Sequence, residues 1–373
     1  MHAELHAKLT KMELDKTSVA EAQRLIAGAK RIVILTHMAP DGDAMGSALA
    51  LLHFVRDRFA VRPSQSDCKT ADAVRPAGGL LDITVIVPNA FPAFFNWMPG
   101  ASEILVHEKQ VALCTQRIAE ADLFLCTDFN DPKRIGPVGE KMLQNPAPKI
   151  LWDHHLNPTD FANVLFSFPE ACSSCEIVYR WLTSERVSEL TKDIATCIYT
   201  GLMTDTGNFS FNSTNPELYD IIADLLRAGI QKDAIYDAVF NQYTSDRLRL
   251  IGYALYRKMR IYPESHLALI VLSADELDRY HYQPGDTEGL VNMPLQIADV
   301  YYSVYMREER PKPGTPKPRI RISFRSQGDR PVNIWASEVF HGGGHMNASG
   351  GELFGSINQA VQLFEKSYPK YVR

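Results

Sequence analysis

The densest group of side chains that could do chemistry follows an early apolar segment. His37, Asp41 and Asp43 lie within seven residues, directly after the apolar run 32–35. That run is typical of a buried parallel strand, and residues 44–56 are typical of the helix that follows such a strand. Because ligands bind beyond the carboxyl ends of the strands in open α/β sheets, this segment is predicted to form a functional site.

Three later segments repeat the pattern of an acid or a histidine after an apolar run, and they end at Asp128, at Asp153-His154-His155 and at Asp205. Carboxylates and imidazoles without any thiolate suit Mn²⁺ or Mg²⁺ better than structural zinc. Two imidazoles and four carboxylates are too many for one ion. We therefore expect two divalent metals about 3.5–4 Å apart that share a carboxylate, as in enzymes that hydrolyse phosphate esters. The candidate metal ligands are His37, Asp41, Asp43, Asp128, His154 and Asp205.

Each candidate ligand also has a structural interpretation. Asp41 and Asp43 could simply cap the following helix, and Asp128 could form an Asx turn. Adjacent histidines such as His154 and His155 are often surface or core residues. Because the pattern occurs four times in one chain at similar places, the sequence favours a shared site over unrelated structural roles.

The four segments together resemble the motifs of a known enzyme superfamily. Asp153-His154-His155 is similar to the signature of the DHH phosphoesterases, and the glycine-rich segment 342–351 resembles the motif of the DHH-associated C-terminal domain. The resemblance runs from about residue 19 to the end of the chain. In layout it is strongest to the stand-alone bacterial oligoribonucleases (nanoRNases) and pAp phosphatases, which are often described as exopolyphosphatase-related.

The resemblance implies two Mn²⁺ or Mg²⁺ ions that are bridged by Asp128. It also implies that His155 contacts the scissile phosphate, and that Asp153 orients the neighbouring histidine without binding a metal itself. One departure from the family pattern is Ser349, where a small apolar residue is common. The implied ligands are His37, Asp41 and Asp128 for one ion, and Asp43, Asp128, His154 and Asp205 for the other.

Candidate substrate contacts lie in the C-terminal part of the chain. Arg325 ends the alternating segment 319–324 and resembles the family's phosphate-binding arginine. Gly343 and Gly344 let backbone amides close around an anion, and His345 follows them at the family's spacing. The small residues after His345 predict a helix whose N-terminus faces the same anion.

The charge distribution also points to an anionic ligand. Residues 307–330 contain eight basic and three acidic residues, which is a net charge of +5 in a chain of −5. A basic segment in an acidic protein suggests a local contact with phosphate or nucleic acid. For Lys312 and Lys317, in the proline-rich stretch 310–318, a stiff solvated loop is the simpler interpretation.

The composition is that of a globular protein with two domains. The chain has 373 residues, of which 45% are hydrophobic and 22% charged, enough to form two separate cores. No apolar run approaches the roughly 18 residues that span a bilayer, and the N-terminus lacks the basic and apolar regions of a signal peptide. We therefore expect a cytoplasmic protein with no membrane segment.

The order of the patterns predicts an α/β fold. Strands alternate with helices up to about residue 166, which predicts a parallel sheet, and residues 173–256 are mainly helical. Strands at 267–272, 298–306 and 319–326 and a closing helix at 355–368 predict a smaller α/β domain with a mixed sheet. We expect the active site in the cleft between the domains. The expected domains are 15–240 (DHH, catalytic and metal-binding), 241–262 (helical connector) and 263–373 (DHH-associated, substrate-binding).

The cysteines fit structural roles better than a metal site. Six cysteines at irregular spacing do not form a disulfide framework. Cys172 and Cys175 are spaced as in some zinc or redox sites, but Ser173 and Glu176 predict a capping box that begins a helix there.

The stretch 62–80 is longer than the family usually needs between its first two strands.

The resemblance implies a metal-dependent hydrolase that acts on short single-stranded RNA oligonucleotides and on pAp. A soluble cyclic-dinucleotide (c-di-AMP) phosphodiesterase would share every catalytic residue named above, so the sequence leaves this alternative open. An exopolyphosphatase fits less well, because the glycine-rich motif suits nucleotides, and the intact ligand set argues against a non-catalytic nucleotide-binding protein. The sequence also leaves a homodimer open.

Overall fold

The structure is a computed structural model that describes residues 12–59, 81–184, 190–311 and 317–372. The chain divides into two compact units, an N-terminal unit that ends at Asn241 and a C-terminal unit that begins at Gln242. The long stretch 62–80 and Lys312 of the proline-rich segment lie outside the described residues. Within the described ranges, no helix is both long and apolar enough to cross a membrane.

The N-terminal unit is built on a six-stranded sheet with the order β3-β2-β1-β4-β5-β6. Every neighbouring pair in this sheet is parallel. All residues of β4 and β5 are buried, as expected for central strands covered on both faces. The strands are β1 Arg31–Leu35, β2 Asp82–Val87, β3 Leu105–Val106, β4 Leu123–Thr127, β5 Lys149–Asp153 and β6 Val164–Ser167.

Helices cover both faces of this sheet and form two apolar cores. Cys114 and Met142 belong to the core on one face, and Phe54 and Trp181 to the larger core. The helices are α1 Lys16–Gly28, α2 Gly42–Phe59, α3 Val111–Glu120, α4 Pro137–Gln144, α5 Ser174–Thr183, α6 Lys192–Asp205, α7 Pro216–Arg227 and α8 Lys232–Phe240.

Glycines allow α2 and α6 to pack closely. A Cβ atom at Gly46 would lie 2.5 Å from the carbonyl oxygen of Cys197, and one at Gly201 would lie 2.9 Å from Asp43 Oδ1. Any larger residue at either position would push the helices apart. This close approach brings Asp205, the last residue of α6, toward the segment that follows β1.

The C-terminal unit contains a second six-stranded sheet, with the order β11-β12-β10-β9-β8-β7. Only β8 and β9 pair in parallel, so the sheet is mixed; with the parallel sheet of the N-terminal unit, it confirms the predicted α/β class. The elements are α9 Ser245–Tyr253, β7 Met259–Tyr262, β8 Leu267–Leu272, α10 Ala274–Arg279, β9 Tyr302–Glu309, β10 Arg319–Ser326, α11 Asn333–Phe340, β11 Gly343–His345, β12 Ala348–Phe354 and α12 Ile357–Tyr371.

The predicted helical connector over 241–262 is wrong at both ends, because the chain is helical only from Ser245 to Lys258. After α9, one π-helical turn at Ala254–Lys258 leads directly into β7. β7 pairs in antiparallel with β8, with Met259 opposite Ile270. Four residues are too few for a periodic signal, and the edge of β8 offers their backbone groups hydrogen-bond partners. Similarly, β9 begins at Tyr302 and not at residue 298.

The glycine-rich segment forms a β-hairpin, so the predicted helix after His345 is wrong. Gly343 lies opposite Gly350, and His345 lies opposite Ala348. A Cβ atom at Gly344 would lie 2.6 Å from the carbonyl oxygen of Ala348, and Gly344 has a φ of +141°. The close approach of two backbones within the hairpin therefore explains this glycine without an anion nest.

Candidate active site

The candidate site lies at the carboxyl edge of the parallel sheet, where the strand order reverses. β1 lies between β2 and β4, and such a switch point leaves a crevice at the strand ends. His37 follows β1 by two residues, Asp128 directly follows β4, and Asp153 is the last residue of β5. Because β1, β4 and β5 are neighbours, these side chains emerge next to one another.

The first cluster is formed by His37, Asp41 and Asp128, whose ligand atoms lie within 4.8 Å of one another. His37 Nε2 is 3.2 Å from Asp128 Oδ2 and 3.7 Å from Asp41 Oδ2. Asp41 Oδ1 accepts hydrogen bonds from the amides of Asp43 and Ala44, both at 3.1 Å. Asp41 thus caps α2 with one oxygen and presents the other to His37, so the cap leaves one oxygen available to a ligand.

The second cluster surrounds His154. Its Nε2 lies 3.5 Å from Asp128 Oδ1, 3.6 Å from Asp205 Oδ2 and 3.8 Å from Asp43 Oδ2. His154 Nδ1 lies 3.3 Å from the carbonyl oxygen of Ala171, which orients the ring. The structure therefore brings together all six side chains that were predicted as metal ligands, in two groups that share Asp128.

The pKa values of these groups reflect the crowding of negative charge. Burial alone would lower the pKa of His37, but Asp41 and Asp128 outweigh it and raise the pKa to about 10. The pKa of His154 is raised to about 9 by the surrounding carboxylates, again against the effect of burial. Burial, followed by Asp128, raises the pKa of Asp43 well above its usual range. His37, Asp43 and His154 therefore bind protons strongly, and divalent cations fit in the place of these protons.

His155 is oriented by Asp153. The Nδ1–H group of His155 donates to Asp153 Oδ1 at 2.8 Å, and the His155 amide donates to Asp153 Oδ2 at 3.2 Å. Asp153 is fully buried, and burial, followed by the charge of Asp128, raises its pKa to about 7. This pair fixes the rotamer and the tautomer of His155 next to the second cluster.

The start of α5 contacts both groups, which the sequence did not predict. Ser174 Oγ donates to Asp128 Oδ1 at 3.0 Å, and the amides of Ser174 and Cys175 donate to the two oxygens of Asp43 at 2.7 and 2.9 Å. The signal available in the sequence was the pair of serines at a helix start shortly after β6. These contacts place an uncharged hydroxyl beside the shared aspartate.

The capping box predicted for α5 is only half formed. Ser173 caps the helix by accepting a hydrogen bond from the Glu176 amide at 3.1 Å. Glu176 Oε2, however, accepts from the amide of Cys172 at 2.8 Å and not from that of Ser173. The chain enters the helix in an extended conformation at Ser173. Cys172 and Cys175 are buried free thiols.

The candidate substrate residues lie in one row of the second sheet. Arg325 of β10 is opposite Ala348 of β12, which is opposite His345 of β11. Residues directly opposite in antiparallel strands share a face, so the small Ala348 separates Arg325 from His345 on one surface. Arg325 Nη1 donates to the carbonyl oxygen of Phe324 at 2.9 Å. Gly343 and Gly344 are part of the same strand as His345.

A parallel α/β sheet with two carboxylate–imidazole clusters at its switch point is typical of hydrolases of the metal-dependent phosphoesterase class. The chain belongs to the DHH family, as the sequence resemblance implied: the N-terminal domain of this family matches residues 31–202. This range covers β1 to β6 and most of α6, including Asp153, His154 and His155.

The similarity to known proteins extends over both units of the chain. The crystal structure of an exopolyphosphatase-related protein from Bacteroides fragilis is 41% identical, with a TM-score of 0.83 over 97% of this chain and 98% of that chain. The bifunctional oligoribonuclease and PAP phosphatase NrnA of Thermus thermophilus is 25% identical over 346 residues, which are 92% of this chain and 90% of that protein. The cyclic-di-AMP phosphodiesterase PdeA of Listeria monocytogenes is 20% identical and matches 89% of this chain but 46% of its own length.

Proposed function

We propose that this chain is a two-metal phosphoesterase that hydrolyses short RNA oligonucleotides and 3′-phosphoadenosine 5′-phosphate (pAp). The observation that carries the proposal is the position of Asp128. Its Oδ2 lies 3.2 Å from His37 Nε2 and its Oδ1 lies 3.5 Å from His154 Nε2. One carboxylate thus offers an oxygen to each cluster, as a bridging ligand of two ions must.

The proposed ions are Mn²⁺ or Mg²⁺, with the first cluster holding one and the second cluster the other. When bound, such a pair supplies a nucleophile from water near neutral pH and offsets charge on the phosphoryl oxygens. His155, held by Asp153, contacts the scissile phosphate. Arg325 and His345, which share one face of the second sheet, hold a phosphate of the substrate.

The extent of the matches favours RNA oligonucleotides and pAp over cyclic dinucleotides. NrnA of Thermus thermophilus corresponds to this chain over 90% of its length, whereas PdeA has more than half of its length outside the match. Cyclic di-AMP remains the second candidate substrate, because the PdeA match covers both units of this chain.

A turnover panel with Mn²⁺ tests the assignment. The substrates are pApA, pAp, cyclic di-AMP and inorganic polyphosphate, and hydrolysis is followed by chromatography of the products. We expect kcat/KM for pApA and pAp to exceed that for the other two by at least about tenfold. A preference for cyclic di-AMP would overturn the substrate proposal in favour of the second candidate, and a preference for polyphosphate would reject both.

Binding of Mn²⁺ is expected to release protons and to strengthen as the pH rises. His37 and His154, with pKa values of about 10 and about 9, hold protons near neutral pH. An imidazole nitrogen must lose its proton before it binds a metal, so protons compete with Mn²⁺ at every pH below these values. Calorimetry at about pH 7.5 in buffers of different ionisation enthalpy measures the release.

The variants His37→Gln and His154→Gln serve as the comparison for this measurement. Each should release fewer protons per bound Mn²⁺ than the wild type, since each lacks one of the raised groups. His53→Gln is the matched control, because this histidine of α2 is not among the grouped ligand atoms. Proton release that is unchanged in both ligand variants would contradict the assignment of these imidazoles.

A further inference from the structure

We propose that Ser174 is a positioning residue that holds the carboxylate of Asp128 so that one oxygen faces each cluster. The inference rests on the two-metal function proposed above. Ser174 is the first residue of α5 and is fully buried. Its hydroxyl donates to Asp128 Oδ1 at 3.0 Å, across 46 residues of sequence.

The hydrogen bond acts on the one torsion that decides whether Asp128 can bridge. Asp128 Oδ1 is the oxygen near His154, and Oδ2 is the oxygen near His37. Rotation of the carboxylate about its terminal bond would exchange or misalign the two oxygens, and this torsion is intrinsically broad. A buried hydroxyl that donates to Oδ1 restricts that rotation.

The backbone of Asp128 shows that its position is determined by its surroundings. Asp128 has a φ of +64°, which is in the left-handed region that residues other than glycine rarely adopt. Its amide donates to the carbonyl oxygen of Trp152 at 3.0 Å, which ties this conformation to β5. Such a conformation persists only where the environment fixes it, and it is found preferentially at functional sites. The backbone thus places the carboxylate, and Ser174 sets its rotation.

A purely structural role does not explain the Ser174 hydroxyl. The side-chain cap of α5 is supplied by Ser173, which accepts from the Glu176 amide. Asp43 is held by backbone amides, those of Ser174 and Cys175, and these do not depend on the side chain of residue 174. Substitution of Ser174 by alanine therefore removes the contact to Asp128 while it leaves the helix cap and the support of Asp43 in place.

The experiment compares Mn²⁺ binding by the full chain in the variants Ser174→Ala, Ser174→Cys and Ser174→Thr, without substrate. Residues that orient metal ligands typically contribute about 10–100-fold to metal affinity or activity. We expect Ser174→Ala to weaken the binding of Mn²⁺ by this factor in calorimetry and to reduce the electron paramagnetic resonance signal of the coupled Mn²⁺ pair. Ser174→Cys, nearly the same shape with a weak donor, should lose less, and Ser174→Thr, which keeps a hydroxyl, should stay closest to the wild type.

Ser47→Ala is the matched control. Ser47 is also fully buried, and its hydroxyl donates to a backbone carbonyl, that of Asp43, at 2.7 Å. This variant should bind Mn²⁺ like the wild type. Far-UV circular dichroism and thermal unfolding of each variant show that the fold is retained, and Ser174→Cys decides the question if Ser174→Ala does not fold.

The inference would be overturned if Ser174→Ala and Ser174→Cys both bound Mn²⁺ with the affinity of the wild type and both gave the wild-type signal of the coupled Mn²⁺ pair. An equal loss in Ser47→Ala would also overturn it, since the effect would then come from helix packing. If the wild type binds two Mn²⁺ ions and Ser174→Ala loses the coupling, but neither pApA nor pAp is hydrolysed, the positioning role stands and the substrate proposal fails.

Discussion

Replacement of Asp128 by asparagine is expected to lower the hydrolysis of pApA and pAp by at least about a thousandfold, or roughly 4 kcal/mol in the activation free energy. Asp128 is the only candidate ligand among the described residues that both clusters share, so its loss affects both proposed ions. Asparagine has nearly the same shape and tolerates the left-handed backbone at this position (φ +64°). The fold should therefore remain intact while the bridging charge is lost.

The measurement is turnover with saturating Mn²⁺, together with the number of Mn²⁺ ions bound per chain. Asp131→Asn is the matched control. Asp131 lies three residues further along, and its carboxylate accepts from the amide of Lys133 at 2.9 Å without belonging to either cluster. This variant should keep activity within a few fold. Wild-type turnover of the Asp128 variant, or equal activity with Mn²⁺ and with chelator, would refute the two-metal proposal.

Replacement of Arg325 by alanine is expected to lower the turnover of pApA and pAp by two or more orders of magnitude, at about 1.4 kcal/mol per decade. The guanidinium offers paired donors to a phosphate, which the nearby glycines cannot replace. If Arg325 holds a phosphate remote from the reacting one, its binding energy positions the scissile group, so kcat falls as well as affinity. Bis-p-nitrophenyl phosphate has no second phosphate, and its hydrolysis should fall much less.

Arg310→Ala provides the control for charge alone. Arg310 belongs to the same basic segment but is exposed and paired with Asp275 and Asp278. This variant should hydrolyse all three substrates like the wild type. A parallel loss on pApA and on bis-p-nitrophenyl phosphate in Arg325→Ala would place Arg325 at the scissile group instead.

The grouping of the candidate metal ligands could be predicted from the sequence because the fold repeats a simple rule. His37 and Asp128 follow apolar runs of five or fewer residues, and these runs form β1 and β4. The carboxyl ends of parallel strands lie at the same edge of the sheet. Asp205 could be found in the same way, although its apolar run is a helix and not a strand. Local hydrophobic patterns were sufficient for these residues.

Features that depend on contacts between distant segments could not be predicted in this way. Ser174 donates a hydrogen bond to Asp128, which lies 46 residues away in the sequence. From the local sequence alone, a serine at the start of a helix is interpreted as a cap. The hairpin after His345 and the short strand at Met259–Tyr262 owe their conformation to pairing with another strand. Glycine-rich and very short segments carry little intrinsic preference, so their partners decide their structure.

The division of the chain after Asn241 has a consequence for how such proteins change over evolutionary time. All six candidate metal ligands lie before this boundary, whereas Arg325 and His345 lie after it. A lineage could therefore exchange or diversify the C-terminal segment and inherit the ligands as an unbroken block. If Arg325 and His345 hold the substrate as proposed, recombination at this single boundary would change the substrate while the candidate metal ligands are retained, because new functions commonly arise on a retained fold.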